Sequence, residues 1–128
     1  MASGDMKGEC EVIEVTSGAA IVIGDLCHIE SDGFWDPCTT ADTGKFGVAL
    51  DAASGAAELV RMVVKGKIEV KATAAAIAKG AYVIAGTTGF VVDVGTLSET
   101  SVYGTIVGTA ITAFDSGGQG TIELGLVG

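Results

Sequence analysis

The chain has little with which to do chemistry. It holds one histidine, His28, one tryptophan, Trp35, and aromatic residues at only 5% of its 128 positions. A histidine-based acid–base site thus has a single candidate. Glu30 lies two residues on and would share a strand face with His28, whereas the neighbouring Cys27 would face the other way. Proline occurs once, at Pro37, and the 20 glycines follow no triplet period, so collagen and polyproline architectures are excluded. The longest uncharged stretch, Thr100 to Phe114, is too short and too rich in Gly and Thr for a membrane span. No basic segment leads into an apolar one near Met1, so no signal peptide is expected and the chain reads as soluble and non-secreted.

Basic residues are also scarce. Sixteen acidic residues face seven Lys and Arg, giving a net charge of −9, and no cation follows Lys79. Binding to a phosphate backbone requires cations that release counterions, which argues against nucleic acid as a partner. Cysteines number three, Cys10, Cys27 and Cys38. An odd count without an export signal predicts free thiols in a reducing compartment rather than a disulfide framework.

What the chain does have is a pattern that occurs twice. Ala20 to Ile29 aligns with Ala76 onward at a spacing of 56, so that Gly24 falls on Gly80 and Gly33-Phe34 on Gly89-Phe90. Gly47-Val48-Ala49-Leu50 aligns with Gly108-Thr109-Ala110-Ile111, and Ser54-Gly55 with Ser116-Gly117. Val60, Met62, Val64 and Gly66 then align with Ile122, Leu124, Leu126 and Gly128. Fixed-spacing similarity of this kind predicts two copies of a β unit, approximately 11–66 and 67–128, around one core.

The local patterns agree. Glu11 to Thr16 is a β-branched strand, and Ala20 to Ile29 is a strand interrupted at Gly24-Asp25. From Glu58 to Lys71 the even positions are apolar and the odd ones carry Arg61, Lys65, Lys67, Glu69 and Lys71, the period of a half-buried ribbon with Gly66 as its bend. Residues 121–126 repeat it, with Ile122, Leu124 and Leu126 inward and Thr121, Glu123 and Gly125 outward. Ser31 to Gly44, with Trp35 and Pro37, reads as a long loop. Residues 1–9 read as a flexible N-terminal arm and 10–128 as a single β domain. The predicted fold is all-β, a compact small barrel or sandwich built from two similar units, with at most one short helical turn near residues 73–79.

No catalytic, cofactor or metal site survives this reading. Cys10, Cys27, Cys38 and His28 lack the spacing of a zinc knuckle. Glu30, Asp32, Asp36 and Asp42 lack the closing glutamate of a calcium loop. Ser116-Gly117-Gly118-Gln119-Gly120 lies between two strands, so it is a hairpin turn and not a phosphate cradle. One feature points to a partner: Arg61, Lys65, Lys67 and Lys71 fall on one ribbon face and hold four of the seven cations, a stripe suited to an acidic protein surface.

The strings Val22-Ile23-Gly24-Asp25, Gly47 to Gly55, Val64 to Val70, Ala76 to Gly80 and Gly120 to Leu124 together resemble the DUF2190 family of tailed-bacteriophage capsid decoration, or cement, proteins. The resemblance covers about residues 10–128, and its motifs are structural punctuation. The Ser31–Gly44 loop and the Val92–Tyr103 connection depart from the family pattern. The resemblance implies a non-enzymatic virion protein on the capsid exterior, made in the host cytoplasm, that bridges neighbouring major capsid protein subunits. It also implies self-association, a trimer being favoured, and no nucleic acid, membrane or cofactor. Under that role the expected partner contacts are the arm (Met1, Ala2, Ser3, Gly4, Asp5, Met6, Lys7), Trp35, and the basic stripe Arg61, Lys65, Lys67 and Lys71. The alternative is a β-rich carbohydrate- or ligand-binding module with Phe34, Trp35 and Tyr82 as stacking platforms.

Overall fold

The computed structural model describes residues 6–38, 45–72, 76–86, 89, 91–93 and 106–124. Nine strands follow in order: β1 (Met6–Thr16), β2 (Leu26–Ile29), β3 (Trp35–Pro37), β4 (Phe46–Ala49), β5 (Leu59–Lys71), β6 (Tyr82–Ala85), β7 (Val91–Asp93), β8 (Ile106–Ala110) and β9 (Gln119–Leu124). They form one curled sheet in the order β3-β2-β4-β5-β9-β8-β6-β7, with β1 added to β5. No helix occurs among the described residues, and the protein is all-β.

β5 organises this sheet. Its 13 residues extend about 43 Å at roughly 3.3 Å per residue. One edge is lined by β1 from Leu59 to Ile68. The other edge is divided, with β4 pairing at Met62 and Val63 and β9 pairing from Gly66 to Lys71. At the division Gly66 has φ of 117°, a conformation that side chains with a Cβ rarely adopt. The bend lets a single strand serve two groups of strands.

The two groups pair alike. β2 pairs with β3 and β4, and β4 with β5; β6 pairs with β7 and β8, and β8 with β9. Isolated bridges recur as well, Ser17↔Trp35 with Ala72↔Val91 (both parallel) and Ile21↔Ala53 with Ile77↔Phe114 (both antiparallel). The Gly24 amide donates to the Ala49 carbonyl and the Gly80 amide to the Ala110 carbonyl, each at 2.8 Å. β5 closes the first group as β9 closes the second, and it opens the second as β1 opens the first. Thus Glu14↔Arg61 and Thr16↔Leu59 correspond to Glu69↔Thr121 and Lys71↔Gln119. Each group curls until its outer strands meet through the parallel bridge.

Pairing also corrects the alignment at the closing strands. Ala49 pairs with Met62 and Ala110 with Ile122, so Met62 corresponds to Ile122, two residues from its sequence-aligned mate Leu124. A slip of two keeps every side chain on its face, which is why the alternation looked right in either register.

The interior of the first group is Val15, Ile21, Cys27, Trp35, Ala49, Ala53, Val60 and Met62. The corresponding positions of the second are Val70, Ile77, Val83, Val91, Ala110, Phe114, Gly120 and Ile122, all buried. Leu26, Val48 and Val63 lie on the outside of the first group, yet they are fully buried within the same cluster as the second group's interior. Their counterparts Tyr82, Thr109 and Glu123 are partly or largely exposed. The outer face of the first group is therefore apolar because the second group packs on it.

Several local expectations change. β1 starts at Met6, and Met6 and Lys7 pair with Ile68 and Lys67, so residues 6–9 belong to a strand instead of a free arm. The Ser31–Gly44 segment contains β3, whose Pro37 is tolerated because β3 pairs on one side with β2 while, among the described residues, its other edge meets the Ser17 bridge alone. In the described part of 73–79, Ile77 bridges Phe114 and a turn at Lys79-Gly80 follows, with no helix. Glu69 and Thr121, on the face expected to meet solvent, are buried at 4% and 5% exposure. The Thr121 hydroxyl donates to Glu69 Oε2 at 3.0 Å, a partner that makes their burial tolerable.

Candidate partner-contact surface

The stripe on β5 is compensated by its neighbours. Arg61 grips Asp51 with two nitrogens, Nε to Oδ2 at 3.0 Å and Nη2 to Oδ1 at 2.8 Å, and its backbone amide also donates to Oδ2 at 3.0 Å. That fork holds the Asp51 carboxyl down to about 2 from an ordinary 3.8, first through the side-chain hydrogen bonds and then through the amide. Lys65 lies across from Glu11, and Lys67 lies between Glu123 on β9 and Lys7 on β1. Lys71 lies across from the neutral Gln119. All four cations are exposed, and Arg61, Lys65 and Lys67 have acids at neighbouring positions. Around the basic stripe, Arg61 is held by Asp51, and Glu11, Glu14 and Glu123 stand at the positions across from Lys65, Arg61 and Lys67.

The Asp51–Arg61 fork yields a prediction. Because the carboxyl is depressed in the folded state, its contribution is present above the unfolded carboxylate pKa and is lost as pH falls through about 2. Side-chain exposures of 35% for Asp51 and 58% for Arg61 keep the effect small. Asp51→Ala is expected to lower the thermal midpoint by a few degrees at pH 7, less in high salt, and progressively less as pH falls toward and below about 2. Melting curves across pH and salt check it.

Trp35 is corrected outright. It is 3% exposed, with its ring among the interior residues of the first group, so neither face is available for a sugar or a capsid surface. The side chain points inward because β3 alternates and Phe34, on the other face, is the exposed one at 41%. Of the expected arm contacts, Met1 to Asp5 lie outside the described residues, and Met6 and Lys7 lie in β1.

The reactive residues are held within the scaffold. His28 Nε2 lies 2.6 Å from Glu30 Oε2, the same-face pair that strand alternation predicts. Cys27 is buried, and desolvation, followed by the charges of Asp25, Cys38 and Asp36, pushes its thiol far up and away from the reactive thiolate. Cys38 is buried and Cys10 is partly buried, with its sulfur 3.4 Å from the Lys67 carbonyl oxygen. Among the described residues no three His, Cys, Asp or Glu side chains group as metal ligands.

Sequence reasoning missed the exposed apolar residues. Val22 and Leu59 are each 66% exposed, Ile23 51%, Ile29 40% and Val12 39%. The sequence pattern places Val22 and Ile23 in a strand just before its interruption at Gly24-Asp25, but they lie in a turn closed by the Asp25 amide donating to the Val22 carbonyl at 3.0 Å. The signal was present in the alignment itself, where Val22-Ile23 stands over Ala78-Lys79.

The described residues thus form a doubled β scaffold in which His28, Arg61 and Thr121 are bonded to carboxylates of the same scaffold. The phage cement protein family profile matches residues 6–126, and the chain belongs to that family. No curated protein sequence matches the chain. Membership gives it a phage capsid decoration role, places it with the virion capsid and points to a non-enzymatic protein.

Proposed function

We propose that this protein binds the outer surface of an expanded tailed-phage shell and stabilises it by bridging neighbouring major capsid protein subunits. The observation that carries the bridging is β5. One unbroken strand closes the first group and opens the second, so the two groups are fixed relative to each other by shared backbone pairing. A body of this kind can contact two adjacent subunits and resist their separation without a flexible linker. Binding energy available only on the intact expanded lattice shifts the balance away from rupture by mass action. Repetition over a symmetric lattice makes modest individual contacts sufficient, and a trimer at local threefold positions fits that symmetry. Synthesis in the host cytoplasm with free thiols fits the same reading.

The test is addition of purified protein to shells of its own virus that lack it. The expected result is saturable binding at lattice stoichiometry and a rupture temperature several degrees higher. Binding with no gain in rupture temperature would leave decoration without bridging, and absence of binding would overturn the reading. The carbohydrate-module reading loses its main platform with the burial of Trp35.

A further inference from the structure

The two groups of strands share a fold, so one serves as a control for the other. A residue needed to build the scaffold should be matched in both; a surface residue present in one only is there for another reason. Val22, Ile23 and Leu59 are large, apolar and more than half exposed. Through the pairing their counterparts are Ala78, Lys79 and Gln119. The second group therefore folds with small or polar residues at all three places, and folding does not require exposed aliphatic side chains there.

These residues share one strip of the surface. Residues 17–24 and 53–59 run side by side. The Ser17 amide donates to the Glu58 carbonyl, the Ala57 amide to the Ser17 carbonyl, Ile21 exchanges two bonds with Ala53, and the Gly24 amide donates to the Ala49 carbonyl. The Ser17 hydroxyl ties the two segments further, donating to the Gly55 carbonyl at 2.7 Å. Leu59 stands at the Ser17 end and Val22-Ile23 at the Gly24 end.

Acidic residues accompany them, again only in the first group. Asp25, Asp51 and Glu58 correspond to Ala81, Thr112 and Gly118. Asp51 is neutralised by Arg61; Asp25, close to Ile23, accepts from the Val22 amide at 2.9 Å, and Glu58, next to Leu59, accepts from the Ser54 amide at 3.1 Å, neither donor being a cation. A second copy placed face to face on this strip would bring acid against acid, which disfavours a symmetric dimer here.

Building on the decoration reading, we propose that this strip is the surface that docks on the shell, and that its occupant is an apolar patch of the capsid protein bordered by Lys or Arg. Apolar anchors supply the affinity, and the acids fix register and repel wrong placements.

The test exchanges the residues for their own counterparts, Val22→Ala with Ile23→Lys and Leu59→Gln. The chain already folds with those residues in the same geometry, so the urea midpoint is expected to stay near that of the wild type. Affinity for shells lacking the protein is expected to fall at least about tenfold. Tyr82→Leu, which carries a first-group residue to the second, is expected to leave affinity within about twofold. Wild-type affinity is expected to weaken as salt is raised. Undiminished binding by the triple variant would overturn the docking strip while leaving decoration intact. Failure of the wild type to bind would overturn both. A wild type that self-associates while the triple variant sediments as a monomer would overturn the shell as occupant in favour of a second copy.

Discussion

Gly108→Ala is expected to destabilise the protein by about 3 kcal/mol and to lower its thermal midpoint by about 10 °C. β8 lies between β6 and β9, and Gly108 pairs with Val83 on one side and Leu124 on the other, at the point where the β6–β8 register shifts. A Cβ placed there would overlap the Glu123 carbonyl oxygen and stand 2.9 Å from its carbonyl carbon and 3.4 Å from Leu124 Cα. Those are backbone atoms, so no rotamer change relieves the clash; the strand itself must move, and with it the closure of the second group. Gly47, its counterpart in the first group, gives a graded comparison. A Cβ at Gly47 would meet Met62 Cβ at 3.1 Å and the Trp35 ring and Val63 carbonyl at 3.3 Å, tight contacts that small shifts accommodate. Gly47→Ala is accordingly expected to cost about 1–2 kcal/mol. Urea unfolding of both variants checks the order. A Gly108→Ala protein as stable as the wild type would mean that β8 and β9 do not approach this closely.

That glycine shows how far the sequence could be read. Alternation on Glu58–Lys71 and the paired Gly-Val-Ala-Leu and Gly-Thr-Ala-Ile strings were enough for an all-β fold with a doubled pattern, because period two and glycine punctuation are local properties. Why Gly108 must be glycine was not local, since the atom in its way belongs to a strand that starts eleven residues later. The same limit explains Val63 and Glu69. Both sit on the odd-numbered, outward face of β5, and both are buried, Val63 in the same cluster as the second group's interior and Glu69 with the Thr121 hydroxyl bonded to it. Alternation assigns a face and cannot say whether that face meets water. The acids around the basic stripe were hidden for a related reason: Arg61 and Lys65 share a face as predicted, but Asp51, Glu14 and Glu11 come to that face through pairing of distant segments. Trp35 was misplaced because a three-residue strand that follows the Gly33 turn and ends at Pro37 is too short to show a period. The candidate docking strip was legible in principle. It required treating differences between the copies, and not only the identities, as information.

The interiors of the two groups differ in a way that sets up the second large effect. Where the first has Ala53 and Val60, the second has Phe114 and Gly120. A Cβ at Gly120 would lie 2.7 to 2.9 Å from three atoms of the Phe114 ring, so the ring occupies the space that Val60 fills in the first group. Phe114→Ala alone is expected to cost about 3–5 kcal/mol by opening a cavity, since Phe114 is 2% exposed. Gly120→Val alone is expected to cost about 1–3 kcal/mol by pressing against the ring. Together the two losses should not add. The double variant recreates the first group's solution at these positions, and a favourable coupling of at least about 1 kcal/mol is expected in a double-mutant cycle. Recovery stays incomplete because Val91 stands where the first group has Trp35, and the missing indole volume must still be supplied. Adding Val91→Trp is expected to restore stability beyond the double variant, and denaturant unfolding of the series measures each step. Strict additivity would show that the two interiors are not interchangeable in this way. Coupling of the expected sign would show that each group meets the demands of its own interior independently, which is what leaves the outer surface of the first group free to carry Val22, Ile23 and Leu59 for a partner.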